Sequence, residues 1–368
     1  MGNIAGPEVG QPRHIGEVDG VWLTKVLQTS DAIPQCTAVA DLTITPFAVG
    51  AGLLSLLYRA VPTYSGGIGP ESVIVKFPID IPTQRGIADQ LGFYSREVRF
   101  YREIAPEARV RTPTVHAAMI ADDCTDFVMV MEDLSCHTTC DQRVGATWEQ
   151  TLASIDAMAA LHAQWHEHPQ LDSLTDTFPP MLNPGYLYGL PPMFAAGWPG
   201  AKEHAGDCLT AELMHFGDHY GDHLEFMLST ANAPVTLLHG DWRLDNLFFD
   251  GDDVTVIDFQ ISGLGCGVYD LAYFVSQSIA PEVRAGREDE LIDRYLQQLA
   301  AHGVERDRAE VVHQFKVAVA QCFIYGVASF PSYPDLPERS QDLCRLLLDR
   351  SARAIVDFDA LSALPSLA

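Results

Sequence analysis

The chain has 368 residues, enough for two packed lobes, and at 47% hydrophobic and 20% charged it has the composition of a folded globular protein. Asp and Glu outnumber Lys and Arg 49 to 23, a formal net charge of −26 that disfavours nucleic acid and anionic membrane surfaces as partners. A neutral or cationic ligand is easier to accommodate, although so acidic a surface also serves plain solubility. No run reaches the ~18 consecutive apolar residues of a membrane span, and Met1 to Gly20 lacks a basic start followed by an apolar core. Eight scattered cysteines suit free thiols and a cytoplasmic location. Cys136 and Cys140 flank His137, but no second cysteine pair follows to complete a zinc site. Nothing in the sequence speaks to oligomeric state.

In chain order, residues 1–40 read as an N-terminal extension packing on the lobe that follows. From 41 to 134, β-rich runs separated by turn formers predict strands at Leu42–Val49, Leu53–Val61, Val73–Phe77, Thr114–Ile120 and Phe127–Glu132, with Thr63–Ser72 as a loop. One helix is expected over Thr83–Ile104, ended by Pro106. From 135 to 368 helices prevail: Trp148–His168, Gly206–Thr230, Tyr269–Ser278, Glu288–His302, Arg308–Ser329 and Gln341–Leu361, interrupted by a β-rich island at Leu237–Phe259. The expected fold class is α+β: a small antiparallel-sheet N-lobe with one main helix, then a larger, mostly helical C-lobe. Residues Phe178–Gly200 hold six prolines and four glycines, which argues for a long loop rather than a helix. Its Tyr186, Tyr188, Phe194 and Trp198 are candidates for an acceptor pocket, or else they merely glue the loop down.

The strongest chemical signal is Leu237–Gln260, LLHGDWRLDNLFFDGDDVTVIDFQ. Asp241 and Asn246 stand at the Asp-x-x-x-x-Asn spacing of the protein-kinase catalytic loop, and Asp258-Phe259 follows an apolar run. Phosphoryl transfer needs one carboxylate to meet the acceptor hydroxyl, and an amide and a second carboxylate to hold magnesium on the phosphates. The plain alternative is a hairpin with acidic turns, since Asp245, Asp250, Asp252 and Asp253 are acidic too. Upstream, Lys76 ends the run Ser72–Lys76 and is a candidate for the phosphates. Glu97 in the following helix is its candidate partner, with Glu103 as second choice. Gly50-Ala51-Gly52-Leu53-Leu54-Ser55 is a partial Gly-x-Gly-x-x-Gly with Ser55 in the third place. Met131 and Glu132, at the end of the last strand, are candidates to offer backbone groups to adenine. No Gly-Lys-Ser/Thr and no Gly-x-Ser-x-Gly occurs, which excludes a P-loop and a serine-hydrolase elbow.

On these residues the chain resembles the aminoglycoside phosphotransferase and choline kinase-like superfamily. Asp-Phe-Gln, with LLYRAV, SVIVKFP, REVRFYREIAP and MEDLS, is most similar to its ecdysteroid-kinase-like branch. The resemblance covers roughly residues 40–355 and implies a bilobal protein-kinase-like fold that uses ATP and Mg²⁺. It implies Asp241 as catalytic base, Asn246 and Asp258 as metal ligands, Lys76 on the phosphates and Glu97 positioning it. His239 and Asp270 would support the catalytic loop. Members phosphorylate aminoglycosides, choline, sugars, steroids and other hydroxyl compounds, so the acceptor is not named. The aromatic stretch favours an apolar or mixed small-molecule acceptor, while the net charge keeps a polycationic aminoglycoside in play. A catalytically silent kinase fold that only binds a ligand is the non-enzyme alternative, and the kept lysine, base and metal groups argue against it.

His215, His219 and His223 recur every fourth residue, a stripe that reads as a metal face or as hydrated surface; His162 and His166 repeat the spacing.

Overall fold

The computed structural model describes residues 3–47, 54–122 and 126–366, so the glycine-motif residues Gly50 and Gly52 lie outside the described residues. The chain divides into two compact units, Met1–His137 with Ile257–Ile261, and Thr138–Val256 with Ser262–Ala368.

In the first unit, α1 (Gly20–Thr29) is a helix the sequence reading did not single out. Asp19 caps it, its Oδ1 accepting from Trp22 N at 2.7 Å. Its apolar face (Trp22, Leu23, Val26, Leu27) shares one core with Val73, Val75, Phe77, Ala117, Val128 and Val130. The residues before the sheet thus cover one of its faces. Strands β1 (Ala38–Phe47), β2 (Ser55–Ser65) and β3 (Val73–Pro78) precede α2 (Pro82–Gln90) and α3 (Phe93–Arg99), and β4 (Val115–Ile120) and β5 (Phe127–Glu132) complete the sheet. The order is β1-β2-β3-β5-β4 with antiparallel neighbours throughout. β3, which carries Lys76, is central in the sheet and buried along its length. The single helix expected over Thr83–Ile104 is instead broken. Gly92, at φ 68°, turns the chain between α2 and α3, and Phe100–Ile104 continues as a wider π turn. Residues 257–261 fall in the interval expected to be C-lobe but cluster with the sheet unit, through the contacts of Phe259 and Gln260 described below.

The second unit runs β6 (Thr138–Thr139), α4 (Trp148–Trp165), α5 (Pro184–His204), α6 (Ala211–Asp218), α7 (Tyr220–Thr230), β7 (Thr236–Leu238), β8 (Leu247–Asp250), β9 (Asp253–Val256), β10 (Gly263–Gly265) and α8 (Val268–Ser278). Then come α9 (Pro281–Arg284), α10 (Glu288–Ala301), α11 (Arg308–Gln321), α12 (Phe323–Val327) and α13 (Glu338–Asp357). α4 opens with a capping box between Thr147 and Gln150.

The expectation of a loop over Phe178–Gly200 is overturned: α5 is a helix with Pro191, Pro192 and Pro199 inside it. Each proline removes a hydrogen bond to the carbonyl four residues back. Those carbonyls belong to Leu187, Tyr188 and Ala195, which are exposed or half-buried, so water can take their place. Tertiary packing supplies what propensity lacks. Phe194 stacks on Tyr220 at 4.1 Å between centroids, Trp198 donates to Asp218 Oδ1 at 2.7 Å, and a Cβ on Gly197 would collide with the Val327 carbonyl oxygen. Phe194 and Trp198 are therefore core residues, 2% and 5% exposed, and not pocket lining as expected.

The histidine stripe is also broken, because α6 ends at Asp218 and α7 begins at Tyr220. Among the described residues no group of three or more His, Cys, Asp or Glu is arranged to hold a metal ion. By length and composition alone the run Arg308–Asp335 would pass for a membrane span, but 72% of its most apolar window is buried within the structure, as in a core helix.

Candidate active site

In the sheet unit, the site is built on β3 and α3. Lys76 is 6% exposed; its Nζ donates to both oxygens of Glu97 at 2.7 and 2.8 Å and to Asp258 Oδ1 at 3.3 Å. Burial would by itself lower the lysine's pKa, but the Asp258 and Glu97 carboxylates outweigh it and hold the ammonium above its ordinary value. Burial likewise pushes the Glu97 carboxyl upward, against the pull of the Lys76 charge. Asp258 sits at φ 68°, a left-handed conformation that non-glycine residues rarely adopt and that clusters at functional positions. Beside it Phe259, fully buried, stacks on Phe100 with centroids 3.5 Å apart and planes 8° apart. Gln260 Nε2 donates to Glu97 Oε2 and to Ser55 Oγ, both at 3.0 Å. Of the expected glycine-loop residues, Ser55 is thus held through Gln260 against the Lys76 partner.

At the end of β5, Met131 is buried and paired with Ile74 and Val115. Glu132 engages Thr114 twice, its N–H donating to Thr114 O and its carboxylate accepting from Thr114 N. That N–H is committed within the sheet unit and is not open to adenine. The next residue, Asp133, receives Arg59 Nε at 2.7 Å, Ser72 Oγ at 2.7 Å and Ser135 N at 3.1 Å. Burial opposes ionisation there, and these donors together hold the carboxyl below its usual range.

In the helical unit, β7 delivers His239-Gly240-Asp241. Asp270, in the first turn of α8 and fully buried, accepts from His239 N at 2.8 Å and Gly240 N at 3.0 Å. Gly240 has φ 83°, so a side chain there would strain the turn that aims Asp241. Behind Asp270 lies His162 Nε2 at 3.1 Å, and His162 Nδ1 meets the Tyr295 hydroxyl at 2.9 Å. A carboxylate only accepts, so Nε2 carries the proton and Nδ1 takes the tyrosine's. Asp241 N donates to His239 Nδ1 at 3.1 Å. The Asp241 carboxylate accepts from the Tyr273 hydroxyl at 2.7 Å and from Asn246 Nδ2 at 3.1 Å, with Arg243 Nε 3.3 Å away. Asn246 Nδ2 also donates to Asp241 O at 2.9 Å, which leaves its Oδ1 as the free end of the amide. Burial, then the adjacent Asp241 charge, lift the Tyr273 hydroxyl well above its ordinary pKa, so it stays a donor. Tyr273 meets Tyr325 edge-on at 4.5 Å, and Tyr325 in turn bonds Tyr269.

Of the expected acceptor residues, Tyr186 is half-buried and Tyr188 is exposed on α5. Tyr273, Tyr295 and the bridging role of Gln260 were not singled out. The spacing Asp270 to Tyr273, three residues on one helix face, was the available signal for Tyr273. Nothing local announces that His162 and Tyr295, 133 residues apart in the chain, share a hydrogen bond.

A family model described as the ecdysteroid kinase-like family matches residues 49–305. No curated protein matches the chain. Among solved structures it is similar to a candidate aminoglycoside phosphotransferase from Ralstonia eutropha JMP134, at 14% identity over 94% of this chain and 99% of that one, with TM-score 0.54. A variant of aminoglycoside 2′-phosphotransferase-IIIa solved with GDP matches at 13% identity over 93% and 98%, TM-score 0.52. Choline kinase from Cryptosporidium parvum Iowa II matches at 11% over 94% and 96%, TM-score 0.51. These likenesses establish the α+β, two-lobed kinase-like fold.

Proposed function

Because the chain belongs to the ecdysteroid kinase-like family, within the kinase-like small-molecule phosphotransferases, we propose that it transfers the γ-phosphoryl group of ATP, with Mg²⁺, to a hydroxyl of an apolar or mixed small molecule. The observation that carries this reading is the buried Lys76–Glu97 pair in contact with Asp258, a cation and carboxylate set suited to nucleotide phosphates and their metal.

Each of the two expected ligands, one in either unit, keeps an oxygen of the kind magnesium takes. Asp258 retains a partly exposed carboxylate, its side chain 35% exposed, and Asn246 retains its amide oxygen. Hard oxygen donors of this kind suit Mg²⁺ rather than a softer metal. When bound, the ion would neutralise charge on the phosphates. Lys76 would bind phosphate oxygens, with Glu97 fixing its direction. Asp241 accepts the proton of the acceptor hydroxyl as that oxygen bonds to the γ-phosphorus and the bridge to ADP breaks. Tyr273 and Asn246 hold the Asp241 carboxylate in one orientation before the acceptor arrives. Tyr273 and the half-buried Tyr325 give the neighbourhood of Asp241 an aromatic wall, which favours an acceptor with an apolar face. All seven described cysteines are free thiols, in keeping with a reducing, ATP-rich cytoplasm.

The test is a nucleotide-consumption screen across neutral hydroxylated compounds and polycationic aminoglycosides, with and without magnesium. Magnesium-dependent ADP formation with at least one neutral acceptor is expected. ADP formation only with aminoglycosides, or none above background hydrolysis, would overturn the proposal.

A further inference from the structure

We propose that Gln260 is a positioning residue that latches the Asp258–Gln260 segment onto the Lys76–Glu97 pair; this rests on the phosphotransferase reading above. In the related protein-kinase motif this place is a glycine, which offers no side chain and leaves the backbone free to turn. Here an amide fills it, 6% exposed, and makes two bonds at once, to Glu97 Oε2 and to Ser55 Oγ at the start of β2. Its carbonyl accepts from Arg96 Nη1 at 3.2 Å, and Arg96 Nη2 is tied to Leu91 O at 2.9 Å. Phe259 is clamped between Phe100 and Tyr101, which the π turn brings to the same ring. Side chain, carbonyl and preceding ring are therefore each anchored.

The latch has an electrostatic role as well. Glu97 is 1% exposed, and its charge is sustained by Lys76 and by the Gln260 amide. Without that amide, Glu97 Oε2 loses one of its two donors, the carboxylate is held by Lys76 alone, and the ammonium loses its fixed direction. The prediction is a loss in turnover rather than in nucleotide affinity.

The experiment compares wild type with Gln260→Ala, using Mg·ATP turnover to water, so that no acceptor is needed. Acylation of Lys76 in the nucleotide-free protein, read by peptide mass spectrometry, is followed in parallel. Gln260→Ala is expected to lower kcat about tenfold with KM for Mg·ATP nearly unchanged, and to speed Lys76 acylation. Should Gln260→Ala fail to fold, the same-length Gln260→Met takes its place. Unchanged Lys76 acylation, or an unchanged kcat, in Gln260→Ala overturns the latch alone. A wild type that neither binds nor turns over Mg·ATP overturns the functional reading, and the latch with it.

Discussion

Asp270→Asn removes one charge and changes almost no volume, so it isolates what the carboxylate does beneath the catalytic loop. The native group accepts three donors: His239 N at 2.8 Å, Gly240 N at 3.0 Å and His162 Nε2 at 3.1 Å. An amide in its place has one accepting oxygen, and its NH₂ must face at least one of those N–H groups. Turning the NH₂ toward Gly240 is the gentler choice, since Oδ1 meets one donor and Oδ2 meets two. One hydrogen bond to a charged group is then lost, about 1.5–3 kcal/mol, and a buried N–H is left without a partner, about 1–3 kcal/mol more. With some relaxation, a net loss of about 2–4 kcal/mol is expected. The assay is chemical denaturation followed by tryptophan fluorescence, for which Trp242, fully buried and 5.6 Å from the His239 ring, is a local reporter. Phosphoryl transfer should fall about 10²-fold, because the loop aiming Asp241 loosens, while nucleotide affinity changes little. A loss below about 0.5 kcal/mol, within the range of an ordinary surface change, would refute the account of Asp270 as the hub of the loop.

Asp241→Asn keeps the Tyr273 and Asn246 contacts within reach; transfer is expected to drop about 10²–10⁴-fold while calorimetry still finds nucleotide binding. Lys76→Met strands Glu97, 1% exposed, and is expected to cost about 3–5 kcal/mol in denaturant unfolding, whereas Lys76→Met with Glu97→Met should recover most of that stability. Burial lowers the pKa of His116 despite the nearby Glu132 charge. As pH falls through about 6.5 the unfolded chain takes up a proton that the folded one refuses, so stability declines toward the folded pKa and levels off below it. His116→Gln should flatten that slope in melting curves taken from pH 7 to 5.

Much of the sheet unit was readable because its strands are rich in β-branched and aromatic residues and separated by turn formers; Phe127–Glu132 appears in the structure with the expected ends. The polar motifs were readable because phosphoryl transfer ties a few residue types to fixed spacings. α5 was not, since its prolines argue locally for a loop and the stacking of Phe194 on Tyr220 that holds the helix together is a long-range fact. α1 lies in the 1–40 segment expected only to pack on the lobe that follows; the Asp19 cap and the apolar spacing of Trp22, Leu23, Val26 and Leu27 were the local signals for it. The break at Gly92 depends on one backbone angle, which apolar spacing does not encode. The partners of His162, Gln260 and Arg96 come from elements far apart in the chain, where periodicity carries no information.

A crystal structure with Mg²⁺ and a non-hydrolysable ATP analogue tests the central claim most directly. The account predicts the Asp258 carboxylate and Asn246 Oδ1 bound to the metal at about 2.0–2.1 Å, with Lys76 Nζ on a phosphate oxygen. A nucleotide seated without Lys76, or a metal held by other residues, would contradict it.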